Sequence, residues 1–237
     1  MQVNPSKFQC IVLSRQNCDI DFNIDGAVVK PVNLVKLLGF HIDHKLNFSE
    51  HVKQLIVKCS RQVNVLGRLS TKLNTKTKLH IIRSLILANF KYCNTVYHYC
   101  SVKDARKIER ILERALKYAF HDFDCSYQEL LTRANLPSLF LDRVRNVLLN
   151  VHKVIKNALP PVDGLFVENV TPYDLRNKHL VQPMCNTASY GSKSLRYNGA
   201  TLYNKLEDNF RMLNISDFKQ YIKTWKCNCR NCYACNF

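Results

Sequence analysis

The chain has 237 residues, 46% hydrophobic and 22% charged, the balance of a globular protein, which excludes a disordered tail, a collagen or a low-complexity linker. Its six glycines argue against a glycine-rich dinucleotide fold. Lysine and arginine total 35 against 18 aspartates and glutamates, a net of +17, which points to a polyanionic partner, nucleic acid before a membrane surface.

The first segment reads as strands. Phe8 to Leu13 is a short apolar run. Asp19 to Ile24 alternates polar and apolar residues, the period of a half-buried strand. Asp25-Gly26 is a two-residue hairpin signal, because both central positions of a type I′ turn need positive φ, and Ala27 to Val29 returns along it until Pro31. A last strand is expected over Leu34 to Ile42, with a bulge at Gly39.

Beyond Asp43 the period becomes helical. A first helix is expected over 47–73, opened by a capping box of Asn47 and Glu50, with its apolar stripe at Val52, Leu55, Ile56, Cys59, Val63, Leu66 and Leu73. A second runs from Thr75 to about Tyr92 and, apolar on more than one face, is expected to be central. A third starts at Ser101 and packs through Ile108, Ile111, Leu112, Ala115 and Ala119. A fourth covers Ser126 to Ala134 behind a capping box of Ser126 and Glu129. A fifth follows Pro137, taken as part of its first turn, and is striped from Val144 to Ile155. Pro160-Pro161 ends the pattern, residues 160–200 read as loop, and further helices are expected over Thr201 to Phe210 and Asp217 to Trp225. Trp225, Tyr92, Tyr97 and Tyr99 read as core aromatics.

The charge follows this division. Residues 1–43 are balanced, 44–120 hold 16 basic and four acidic residues, a net of +12, and the remainder carries +5. A local surplus is the informative one, since attraction to phosphate fades within a Debye length of about 8–10 Å. Lys53, Arg61, Arg68 and Lys72 on the first helix are the candidates for nucleic-acid contact.

The start shows no secretory leader pattern, and no stretch reaches about 18 uninterrupted apolar residues, so an intracellular protein, nuclear or cytoplasmic, is expected with no membrane partner. Of 11 cysteines, seven are scattered and read as reduced, mostly buried thiols. The other four, Cys227, Cys229, Cys232 and Cys235, can together hold one tetrahedral zinc. Their spacing leaves little chain to wrap an ion, so three of them with a distant histidine, two chains sharing zinc, or a plain reduced terminus fit as well.

Asn4-Pro5-Ser6-Lys7 before an apolar strand and a hairpin, then Leu37-Leu38-Gly39-Phe40-His41-Ile42-Asp43, then Leu46-Asn47-Phe48 and His51, form an ordered set. It continues through Asn89-Phe90-Lys91-Tyr92-Cys93, Val96-Tyr97-His98, Ile108-Glu109-Arg110, Glu113-Arg114-Ala115-Leu116, Ser126 to Leu131, Tyr190-Gly191, Ser194 to Tyr197, and Phe218-Lys219 through Trp225 to Cys232. The set resembles the part of a non-LTR (LINE-type, jockey-like) retrotransposon reverse transcriptase that follows the catalytic palm aspartates. The resemblance covers nearly the whole chain and implies the end of a palm, a primer-grip hairpin with a rigid turn over Leu37 to Asp43 that sets Leu38, Gly39 and Phe40 against the primer, and a thumb lying on template–primer duplex. It makes Lys7 the match to the lysine near the departing pyrophosphate. Such polymerases use two magnesium ions held by palm carboxylates, including a paired aspartate, and no Asp-Asp pair occurs here.

The expected fold is therefore α+β and mostly α, with a small antiparallel hairpin unit over 1–43, a basic, thumb-like helical region over 44–158, and an irregular C-terminal region with a cysteine-rich end over 159–237. The expected function is that of a reverse transcriptase (RNA-directed DNA polymerase) fragment, inactive by itself, that holds RNA, DNA or a hybrid duplex. The alternative is a non-catalytic RNA- or DNA-binding protein with a C-terminal zinc site.

Overall fold

The computed structural model describes residues 8–13, 21–24, 26–160, 162, 164–168, 180–181, 191 and 193–226. It is mostly helical with two small antiparallel hairpins, the expected α+β class. The chain divides into two compact units between Leu136 and Pro137.

In the first unit, β1 (Phe22–Ile24) pairs with β2 (Ala27–Val29), with Ile24 opposite Ala27 and Gly26 at φ +81°, as the Asp-Gly signal requires. Phe8 to Leu13 forms no ladder. It makes a single bridge from Cys10 to Pro31, with Val32 N donating to Cys10 O, because proline has no N–H with which to extend the pairing. The strand expected over Leu34 to Ile42 is two strands, β3 (Leu34–Leu37) and β4 (Phe40–Asp43), folded back at Leu38-Gly39. Both turn residues have positive φ, +48° and +83°, so Gly39 serves a two-residue hairpin turn, the hairpin implied over Leu37 to Asp43, rather than a bulge in one strand.

Helix α1 (Ser49–Leu69) starts later than the capping-box reading and ends earlier than Leu73. Phe48 sits in the left-handed region at φ +59°, so Asn47 is outside the helix and Glu50 never reaches back to it. The Asp43 carboxylate holds the turn before the helix, accepting from the backbone N–H groups of Lys45, Asn47 and Phe48, the last at 2.7 Å, while Asn47 Oδ1 accepts from the first helical N–H, that of Ser49, at 2.9 Å. The next helical rod is α2 (Thr75–Ile81), one widened π turn over Ile82–Ile86, and α3 (Leu87–Lys91). Helix α4 (Val102–Phe120) is capped by Ser101 as expected, and α5 (Tyr127–Ala134) carries the full Ser126–Glu129 capping box.

Helices α1 and α4 are parallel neighbours tied at both ends. At their N-termini Ser49 Oγ and Ser101 Oγ both donate to Asp104 Oδ2, each at 2.9 Å. At their C-termini Lys78 Nζ donates to Ser70 O and Tyr118 O, each at 3.2 Å, and His121 Nε2 donates to Ser70 O at 2.7 Å. Parallel macrodipoles repel, and a carboxylate at the N-ends with a cation at the C-ends offsets that. Lys78 is only 1% exposed, and burial lowers its pKa. Gly67 makes the close approach possible, since a Cβ there would lie 2.9 Å from the Tyr118 ring.

In the second unit, α6 (Leu139–Ile155) is capped by Ser138, so Pro137 precedes the cap instead of sitting in the first turn. The helix expected over Thr201 to Phe210 is instead α7 (Leu195–Tyr203), capped by Ser194, followed by a short α8 (Asp208–Arg211). Gly199 is needed inside α7, because a Cβ there would lie 2.8 Å from Val151 on α6. Helix α9 (Ile215–Thr224) starts two residues before the expected Asp217, behind an Asn214 cap. The core joins Val147, Leu148 and Val151 of α6 to Ala200 and Tyr203 of α7 and to Phe218 and Ile222 of α9. His152 is enclosed there, its Nε2 donating to Leu213 O and its Nδ1 accepting from Tyr203 Oη, both at 3.0 Å, with its ring stacked on Phe218. Arg145 Nε and Nη2 both donate to Trp225 O, which anchors the chain just before the cysteine-rich end.

Candidate nucleic-acid interface

The hairpin of β3 and β4 is held from beneath. Phe40 is buried, packed at a 31° tilt against His51 with centroids 3.9 Å apart and edge-on to Phe48 at 5.7 Å, and His51 continues to Tyr97 at 5.5 Å. The His41 N–H points at His51 Nδ1 at 3.5 Å. Burial, with His41 adding to it, pushes the His51 pKa down to about 4, so the ring is neutral near pH 7. The tip is pinned as well, since Tyr92 Oη donates to Leu38 O.

The three residues expected at a primer grip therefore part company. Leu38 is 84% exposed at the tip, Gly39 shapes the turn with nothing within 4 Å of a notional Cβ, and Phe40 is the internal anchor that holds the tip out. Tyr92 is half-exposed rather than a core aromatic, whereas Tyr97 is fully enclosed. Among the described scattered cysteines only Cys59 and Cys100 are buried, while Cys10, Cys93 and Cys125 are half-buried, so the expectation of mostly buried thiols is too strong.

Three of the four cations expected on the first helix share an outward face. Steps of three and four residues bring Lys53, Arg61 and Arg68 along one side of α1, opposite buried Val52, Leu55, Cys59, Val63 and Leu66, with Lys72 just beyond the helix end. Lys53 lies 3.7 Å from Glu50 in an exposed pair of little energetic weight, and no carboxylate pairs with Arg61, Arg68 or Lys72 among the described residues. Sequence reading missed what lies between these cations. Val57, Val65 and Leu69 are exposed on the same side, and their off-phase spacing relative to the buried stripe was the available signal. The face is thus basic and aliphatic together, a surface that can meet phosphates and sugars at once.

Lys7 and the four tail cysteines lie outside the described residues, so their placement adds nothing to the site. Among the described residues no cluster of three histidine, cysteine or acidic side chains could hold a metal ion, and no helix is long and apolar enough to cross a membrane. Compared with protein-family models, with curated proteins and with solved structures, the chain gives no match in any of the three.

Proposed function

We propose that this chain is the duplex-holding part of a non-LTR retrotransposon reverse transcriptase, acting on template–primer and without the carboxylate pair that polymerisation needs. The observation that carries this reading is the outward face of α1, where Lys53, Arg61 and Arg68, with Lys72 just past the helix end, alternate with Val57, Val65 and Leu69, and where among the described residues Glu50 alone pairs with one of these cations. A helix lying along a shallow minor groove needs cations for the phosphate rims and small aliphatic groups against the sugars between them. The hairpin tip at Leu38-Gly39, fixed by Phe40 inside and Tyr92 outside, supports a backbone element presented to a strand end. Exposed Leu34, Leu37 and Val28 on the two hairpins fit strands that pack on a further sheet.

The experiment is binding of a fluorescent RNA–DNA hybrid to the wild-type chain and to the variant Lys53→Gln/Arg61→Gln/Arg68→Gln/Lys72→Gln, with a magnesium-supplied primer-extension assay on the same preparations. Removing three to four phosphate contacts lowers the slope of log affinity against log salt by roughly three. Extension is absent from both proteins. An unchanged slope removes α1 from the interface, and primer extension by the wild-type chain removes the reading that this chain is inactive by itself.

A second reading, a non-catalytic nucleic-acid-binding protein, is favoured by the second unit's own buried core with His152, Tyr203 and Phe218 at its centre. It makes the same binding prediction and differs in needing no polymerase partner.

A further inference from the structure

We infer that α4 carries a second nucleic-acid contact, a row of cations that grips the phosphates of a duplex without reading its bases. It rests on the reading above only in taking nucleic acid as the partner, and it concerns a helix to which that reading gives no role. Lys103, Arg106, Lys107, Arg110, Arg114 and Lys117 recur at three- and four-residue steps along the side of α4 opposite its buried Ile108, Leu112, Ala115 and Ala119. From Lys103 to Lys117 the row is about 21 Å long. Lys107 is held by Asp104 at 3.0 Å and Lys117 by Glu113 at 2.9 Å, so two cations of the row are already paired with acids of the same helix. Lys103, Arg106 and Arg110 are exposed and have no carboxylate partner among the described residues, and two guanidinium nitrogens of half-buried Arg114 have no acceptor there either.

The composition of the row selects its occupant. A membrane-surface helix needs an exposed apolar stripe to enter the acyl boundary, and the apolar stripe of α4 is buried in the unit. A protein partner needs aromatic or aliphatic anchors at the centre of the patch, and the row contains none. Binding of a bare single strand gains from aromatic platforms for its bases, also missing from the row. Closely spaced guanidinium and ammonium groups on a rigid rod fit the regularly placed phosphates of a duplex, and arginine adds bidentate contact. The ends of the rod are fixed by Asp104 and by Lys78 with His121, so the row is preorganised.

The test is a salt titration of affinity with Arg106→Gln/Arg110→Gln, with Lys53→Gln/Arg61→Gln, with both pairs together, and with Lys219→Gln/Lys223→Gln on α9 as a charge-matched control. The probes are an RNA–DNA hybrid, a DNA duplex, an RNA duplex and phosphatidylserine vesicles. The α4 pair is expected to lower the duplex salt slope by roughly two, to add to the effect of the α1 pair, and to exceed the α9 control by more than roughly one. Comparison of the three duplexes identifies which one the row prefers. An α4 pair that behaves like the α9 control, or that changes vesicle binding while leaving all duplexes untouched, overturns the inference. A silent α1 pair with a responsive α4 pair counts against the α1 reading and leaves this one standing.

Discussion

His51 is enclosed between Phe40 and Tyr97 at the base of the hairpin, and its neutrality is a condition of that packing. Its pKa falls from 6.5 to about 4 on folding, mainly through burial. The unfolded chain therefore binds the proton more tightly, so the stability is fully present above pH 6.5 and is lost as the pH falls toward about 4. The full shift corresponds to something on the order of 3 kcal/mol. Urea unfolding of the first unit at pH 7 and in mild acid should show this loss in the wild type and a smaller one in His51→Phe, whereas equal pH dependence in both would detach the effect from His51. His152 in the second unit is lowered by burial too and acts in the same direction. Lys78 is the second key residue. Lys78→Met keeps the length of the side chain but removes the cation from Tyr118 O and from Ser70 O, which keeps only His121, and a destabilisation of roughly 2–3 kcal/mol is expected from chemical denaturation. A change below about 0.5 kcal/mol, the size of an ordinary surface substitution, would mean that the cap does not hold the helix pair. Neither role was legible beforehand. A lysine in a basic stretch reads as surface, and only the meeting of two helix C-termini reveals a need for a buried cation.

Elements were legible where the local signal is self-sufficient. Ser101, the Ser126–Glu129 box and Asp25-Gly26 each place an element boundary within a few residues, and they were read correctly. Boundaries that depend on tertiary partners were not. The turn that precedes α1 depends on Asp43 reaching forward to Phe48, and α7 depends on Gly199 fitting against Val151, a glycine that reads as a breaker in isolation. The hairpin of β3 and β4 was implied by the family resemblance but not by local turn chemistry, because leucine, instead of asparagine or aspartate, occupies its first positive-φ position. Leucine in the left-handed region costs about 1–2 kcal/mol. Leu38→Asn should thus raise the melting temperature by a few degrees and, if the tip meets a strand end, weaken duplex binding at the same time. A fall in melting temperature would show that the exposed leucine is held by contacts that outweigh the strain.

At the scale of the molecule, a fold class with small hairpins and long helices was readable from hydrophobic period alone, because the period changes from two to 3.6 after Asp43. The division of the chain after Leu136 was not, since α5 and α6 are separated by only four residues with no composition shift between them. What the sequence displayed most openly was the uneven charge, and the structure turns it into faces on α1 and α4 whose apolar sides are buried. The most direct measurement is the affinity of the intact chain for an RNA–DNA hybrid across roughly 50 to 200 mM salt. With about four or more phosphates engaged, log affinity should fall linearly with log salt at a slope near −4 or steeper. An affinity that stays flat across that range would contradict a phosphate-gripping role for either helix.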